Sequence, residues 1–153
     1  VPRILAIDPG ERRLGLAVSD PSGLVALPLE VRARGGWRAD VAYLRQVIAR
    51  YEVAEIVVGR PLTTRGVAGP AAAAAARFAA RLRAALRLPV HEVDERFTTV
   101  AAERAMRETG GGAAERRARR DAVAAALILQ TVLDRRRAGG PLRGGGEGVM
   151  LAP

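Results

Sequence analysis

One segment constrains this chain more than any other. Arg3-Ile-Leu-Ala-Ile-Asp8 is apolar on both alternations, with Ile4 and Ala6 on one side and Leu5 and Ile7 on the other. A strand buried on both faces belongs in the middle of a sheet that is covered on both sides. Residues 3–8 are therefore expected to form a central strand, and the rest of the chain must supply its neighbours and its covering layers.

The pattern downstream does so. Pro9-Gly10-Glu11-Arg12 has turn chemistry, after which Leu14, Leu16 and Val18 alternate with Gly15, Ala17 and Ser19 up to a second turn at Asp20-Pro21-Ser22-Gly23. A third strand is expected over Val25 to Arg32. From Trp37 to Tyr51 the apolar residues Val41, Leu44, Val47 and Ile48 mark one face of an amphipathic helix. Glu55 to Gly59 reads as a short buried strand. Gly66, Gly69 and Pro70 then introduce an alanine-rich helix reaching Leu86, with Phe78, Leu82 and Leu86 on one stripe. Pro89 to Asp94 is the fifth strand. Thr98 or Thr99 can cap a helix ending near the glycines at 110–112, and a last helix runs from near Glu115 to Arg135-Arg136-Arg137, where positive charge suits a helix C-terminus. The expectation is an α/β fold, a five-stranded mixed sheet flanked by helices, in one domain over 1–138. Residues 139–153, rich in glycine and proline, form a tail with too little apolar content to order itself.

Composition narrows the chemistry. With 31 alanines among 153 residues and 3% aromatics, the core is built from Ala, Leu and Val. All 25 basic residues are arginine; against 16 acids they give a net charge of +9, which points to a polyanion, nucleic acid before membrane. The absence of cysteine excludes a disulfide scaffold, a zinc ribbon and a thiol nucleophile, and any Ser-His-Asp triad would have to use the single histidine, His91. Asp8 stops the first apolar run far short of a signal peptide or membrane span, so a soluble cytoplasmic protein is expected.

Three acids stand where solvated charges are unexpected. Asp8 ends the most apolar strand, Glu95 follows the fifth strand, and Asp121 precedes the wholly apolar stretch Ala122 to Leu129. Charges in such settings cost several kcal/mol unless paired or bound to a cation. The carboxyl ends of neighbouring strands in an open α/β sheet share one edge, where ligands bind, so a shared cation would account for all three. Oxygen donors alone suit Mg²⁺ or Mn²⁺, and two ions about 4 Å apart would stabilise the attacking and leaving oxygens of phosphodiester hydrolysis. Plainer readings stand beside this one: Asp8 as a turn residue, Glu95 or Asp94 as a salt-bridge partner of Arg96, and Asp121 as an intrahelical partner of the arginines before it. Asp94 rivals Glu95, because adjacent strand residues point to opposite faces. His91 reads as an incidental strand residue and Trp37 as a packing anchor. Arg104, Arg107, Arg116, Arg117, Arg119 and Arg120 form either a solvated basic face or, as favoured here, a phosphate track.

The run Asp8-x-Gly10-x-x-Arg13-x-Gly15-x-Ala17-x-Ser19-Asp20, then Val57-Val58-Gly59-x-Pro61-Leu62 with Gly66, then Asp94-Glu95-Arg96-x-Thr98-Thr99, and Asp121 followed by Ala124-Ala125 and Leu129-Gln130, resembles the YqgF/RuvX family over about residues 3 to 137. That family is linked to Holliday junction resolution and to maturation of the 5′ end of pre-16S ribosomal RNA. The resemblance implies a ribonuclease H-like fold, with Asp8, Glu95 and Asp121 as metal-binding catalytic carboxylates. It further implies that Arg13 and Arg96 contact nucleic acid, that Gly10 shapes the turn and that Thr98 and Thr99 fix the turn aiming Glu95. Arg60, where an apolar residue is expected, and Thr63-Thr64 depart from the family pattern. The implied function is a nuclease requiring two Mg²⁺ or Mn²⁺ ions, with an RNA precursor ranked above a DNA junction as substrate. The alternatives are a nucleic-acid-binding module without catalysis, which retention of all three acids opposes, and an ATP-binding domain of the actin and sugar-kinase type, which needs two copies of the domain. Sequence leaves the oligomeric state open.

Overall fold

The computed structural model describes residues 2–61, 69–94, 113–139 and 150–151, with the backbone alone for 113–121 and 150–151. In chain order the elements are β1 (Arg3–Pro9), β2 (Arg13–Ser19), β3 (Ala26–Pro28), β4 (Arg32–Ala33), α1 (Trp37–Tyr51), β5 (Val53–Arg60), α2 (Pro70–Leu86), β6 (Val90–Asp94), α3 (Ala113–Arg137) and β7 (Met150–Leu151). The sheet order is β3-β2-β1-β5-β6-β7, with β4 also paired to β2. β1 is antiparallel to β2 and parallel to β5, and β5 is parallel to β6. The carboxyl ends of β1, β5 and β6 therefore share one edge.

β1 is central, as its double alternation requires. Leu5 and Ile7 join Leu14, Leu16, Ile56 and Val58 in a cluster closed by Leu44 of α1 and Phe78 and Leu82 of α2. On the other face Ile4 and Ala6 join Ala17, Val57 and Val93 under Ala125, Ile128, Leu129 and Val132 of α3. Most of these side chains are fully buried, and truncating one of the leucines to alanine would cost about 2–5 kcal/mol. α1 has the bounds its periodicity predicts. It begins after Gly36, whose φ of 94° is open to glycine, and ends at Glu52 in the left-handed region, whose N–H bonds the Ile48 carbonyl. α2 starts with Pro70 at its first turn, where a missing N–H is harmless.

Two details differ from expectation and raise the strand count above five. The expected third strand is broken into β3 and β4, because its chain pairs with β2 only as far as Pro28 and returns to β2 at Arg32. Met150–Leu151 of the glycine-rich tail pairs in parallel with Glu92 and Val93 at the outer side of β6, a contact that glycine content does not announce. The helix expected after Thr98 lies outside the described residues.

α3 is pinned to the sheet at two points. The Gln130 side chain accepts from the Ala26 N–H and donates to the Leu24 carbonyl, each at 2.9 Å, and so grips the β2–β3 connection. Farther along, Arg136 donates to both carboxylate oxygens of Glu55 near the start of β5. The C-terminal end of α3 thus lies at the amino-terminal edge of the parallel strands, and its earlier turns lie toward the opposite edge.

Candidate active site

Asp8 lies at the carboxyl end of β1 on the face covered by α3, following Ile4 and Ala6 on the same alternation. Its register partner on β2 is Gly15, and the pairing of Ile7 with Val58 puts Gly59 beside it on β5. A half-buried carboxylate is therefore flanked on both sides by buried glycines, which have no side chains to crowd it. Arg13 lies two positions from Gly15 on the same face, diagonal to Asp8.

The turn after Asp8 explains Gly10. Its N–H bonds the Arg13 carbonyl at 2.9 Å, and a Cβ at this position would sit 2.8 Å from that same oxygen. The turn is braced from behind, since Arg34 donates to the Gly10 carbonyl at 2.8 Å and the Arg34 N–H to the Arg12 carbonyl at 2.9 Å. Arg34 is held in turn by Asp40, which is 1% exposed, accepts from the Gly35 N–H and faces the guanidinium groups of Arg32 at 3.5 Å and Arg34 at 3.7 Å. Asp40 and Arg34 carry no motif signal. Only an acid in the first turn of a helix that follows two arginines at one-residue spacing hinted at the contact.

The rivalry between Asp94 and Glu95 takes a geometric form. Val93 belongs to the cluster under α3, whereas Val90 belongs to the cluster under α1 and α2. By alternation Asp94, only 4% exposed, lies on the α1 and α2 face, opposite to Asp8. Its register partner is Arg60, so the arginine that departs from the family pattern stands beside a buried carboxylate. Glu95 lies outside the described residues, as do Arg96, Thr98, Thr99, Arg104 and Arg107. Arg116, Arg117, Arg119, Arg120 and Asp121 fall in the first half of α3. Position 121 is four residues before the buried Ala125. Leu133, packed in one cluster with Ile4, marks the other end: from it to position 121 the helix climbs about 18 Å, and from Ile4 to Asp8 the strand climbs about 13 Å. The backbone at 121 reaches the level of Asp8. Among the described residues no three acid, histidine or cysteine side chains gather as a metal set, and the described donor at this edge is a carboxylate, the hard oxygen chemistry that suits Mg²⁺ or Mn²⁺.

His91 is removed from this edge. Its Nε2 is 2.7 Å from Glu55, in the cluster that ties α3 to β5 and β6. Burial pushes the Glu55 carboxyl up, but hydrogen bonds from Arg136 and His91 and their charges outweigh it and hold it at about 2. Trp37 meets Phe78 edge to face at 6.1 Å, and the Arg81 guanidinium covers its ring at 4.0 Å, so it is a packing anchor.

A family model described as RuvX, Holliday junction resolvase, matches residues 2–135. A relative from Koribacter versatilis, named as a candidate pre-16S rRNA nuclease, is 50% identical over 107 residues, 70% of each chain. One of the same name from Moorella thermoacetica is 45% identical over 106 residues, 69% of this chain and 76% of the relative. Another from Rhodococcus jostii is 43% identical over 113 residues, 71% of this chain and 64% of the relative. Among solved structures, Thermus thermophilus RuvC in complex with a Holliday junction substrate superposes with a TM-score of 0.56 at 20% identity, covering 91% of this chain and 97% of that one. That likeness is one of fold, and the fold is ribonuclease H-like.

Proposed function

The chain belongs to the RuvX Holliday junction resolvase family, and from that premise we propose that it is a divalent-metal-dependent nuclease of the cytoplasm that processes the 5′ end of pre-16S ribosomal RNA. The observation that carries the reading is the edge itself: Asp8 at the end of a central strand, on the α3 face, between Gly15 and Gly59. Alternation along β6 puts Asp94 on the face opposite Asp8, which speaks against Asp94 as its companion and leaves Glu95 as the acid proposed. Helical spacing supports Asp121, one turn before Ala125 on the stripe that meets the sheet. The names of the relatives at 43–50% identity support RNA as the substrate.

Asp8, Glu95 and Asp121 would hold Mg²⁺ or Mn²⁺, as two ions, which activate water and neutralise the leaving oxygen in phosphodiester hydrolysis. The chain's own residues do the rest. The Gly10 turn fixes the aim of Asp8, Gly15 and Gly59 leave its carboxylate uncrowded, and Thr98 and Thr99 aim Glu95. Arg13, Arg96, Arg104, Arg107, Arg116, Arg117, Arg119 and Arg120 bind flanking phosphates.

The test incubates the protein with matched single-stranded RNA, single-stranded DNA and a four-way junction in Mg²⁺, Mn²⁺ or Ca²⁺. Single-stranded RNA should be cut at least as fast as the junction, in Mg²⁺ or Mn²⁺ but not Ca²⁺, whose looser coordination does not hold the required geometry. Junction resolution needs paired cuts and hence a two-fold dimer. A stable dimer that nicks the junction symmetrically and ignores single strands would overturn the RNA assignment.

A further inference from the structure

Of the arginines assigned above to the substrate, Arg13 lies at the Asp8 edge and Arg116, Arg117, Arg119 and Arg120 belong to α3. The opposite layer is also rich in arginine. α2 and its C-cap carry Arg77, Arg81, Arg83 and Arg87 with no acid, and β4 with α1 adds Arg32, Arg34, Arg38, Arg45 and Arg50 against Asp40. Asp40 is buried and already faces Arg32 and Arg34. The other acids of this side are Glu30, Glu52, Glu92 and Asp94: Glu30 takes the Tyr43 hydroxyl at 2.9 Å, Glu52 caps the C-terminus of α1, and Glu92 and Asp94 are buried in β6. Several of the arginines are also occupied, Arg45 on the Ala85 carbonyl and Arg83 on the Val90 carbonyl.

Of the five exposed arginines that remain, Arg50 and Arg87 lie at the C-terminal ends of α1 and α2, and the other three lie toward the N-terminal end of α1 and along α2. Arg38, Arg77 and Arg81 are exposed, and Arg77 and Arg81, four residues apart, lie on one stripe of α2. Arg81 is preorganised, because its guanidinium stacks on Trp37, which is itself wedged against Phe78. Arg34 covers Phe78 at 5.2 Å and bonds the Gly10 carbonyl. Through these two rings the cluster is continuous with the turn that carries Asp8. Stacked guanidinium groups present their hydrogen-bonding edges outward, and desolvating arginine is easier than desolvating an ammonium group.

We infer that Arg38, Arg77 and Arg81 form a second phosphate-binding surface, which grips the backbone of the RNA substrate beyond the cleavage point as it passes from the Asp8 edge onto the α1 and α2 layer. This rests on the nuclease reading for the identity of the ligand, but its measurement does not require cleavage. The triple variant Arg38→Ala, Arg77→Ala, Arg81→Ala is made in an Asp8→Asn background, and binding of a labelled hairpin RNA with a single-stranded tail is followed by fluorescence anisotropy across a salt series. Three lost phosphate contacts should flatten the plot of log affinity against log salt by roughly two to three units. The Arg→Lys triple variant should keep the parent slope, which separates charge from packing on Trp37. An unchanged slope in the alanine variant would overturn the inference, as would an equal loss in the lysine variant or an equal loss per residue from Arg135→Ala with Arg137→Ala at the far end of α3. Wild-type protein that binds the RNA with the expected slope yet cuts nothing would refute the nuclease reading and leave this surface standing.

Discussion

Replacing Glu55 with glutamine removes one charge from the cluster that fastens α3 to β5 and β6. The carboxylate accepts from Arg136 at 2.7 Å through one oxygen and contacts His91 at 2.7 Å through the other, with its side chain 19% exposed. Held at about 2 against an ordinary 4.5, it contributes stability that is complete above the ordinary value and is lost as the pH falls toward 2. Discounted for the carboxylate's partial exposure to solvent, the contribution is about 1–2 kcal/mol near neutrality. The amide can still accept one hydrogen bond from Arg136, so the expected loss at pH 7 is about 1–2 kcal/mol. Urea unfolding followed by the fluorescence of Trp37, the one tryptophan, measures it. Because glutamine does not titrate, the difference between wild type and variant should shrink from pH 4.5 downward and approach zero near pH 2. A difference that stays constant from pH 7 to pH 3, or that is below about 0.5 kcal/mol at pH 7, would refute the account.

Asp8→Asn, Glu95→Gln and Asp121→Asn should each lower cleavage by at least about 100-fold while RNA binding persists, since the amide keeps its shape and loses the charge that holds the metals; Asp94→Asn, on the other face of β6, should lower it far less. Gly10→Ala forces a carbon against the Arg13 carbonyl at 2.8 Å, and should cost about 1–3 kcal/mol and reduce turnover more than binding, read by thermal melting and by separate kcat and KM. Asp40→Asn leaves Arg32 and Arg34 facing a neutral amide; about 2 kcal/mol of stability should go, and release of Arg34 from the Gly10 carbonyl should slow cleavage of RNA already bound.

Much of this molecule was legible in its sequence because its signals are local. The double alternation of residues 4–7 identified the central strand, and the spacing of Val41, Leu44, Val47 and Ile48 gave α1 its observed ends. Gly10 was legible as a turn residue, although the sharper reason, a carbonyl too close for any Cβ, is a distance that no pattern contains. Contacts between distant segments were not legible. Asp40 reads as an ordinary first-turn acid until β4 folds two arginines onto it, Glu55 reads as the start of a strand until Arg136 arrives from 81 residues away, and Gln130 reads as a motif residue until its amide meets the β2–β3 connection. The break between Pro28 and Arg32 is not legible, since nothing in the local pattern says where the chain leaves β2. Of the candidate site, Asp8 is settled on a face by its own strand, whereas the face of Asp94 needed the two core clusters to tell one side of β6 from the other.

The pinning of α3 at Gln130 and Arg136 makes the helix a lever. From Arg136 to Asp121 is about 22 Å along its axis, so a pivot of about 5° at the fastened end would carry the far end about 2 Å. Displacements of about 1 Å can slow a reaction 100-fold, and the precision of an edge built partly from this helix is therefore governed from the other side of the molecule. With Asp121 as a catalytic acid, as proposed, substitutions at Gln130 or Glu55, far from that end of α3, are expected to alter turnover as well as stability. A weakened fulcrum would leave a folded protein whose turnover falls and whose affinity for RNA does not.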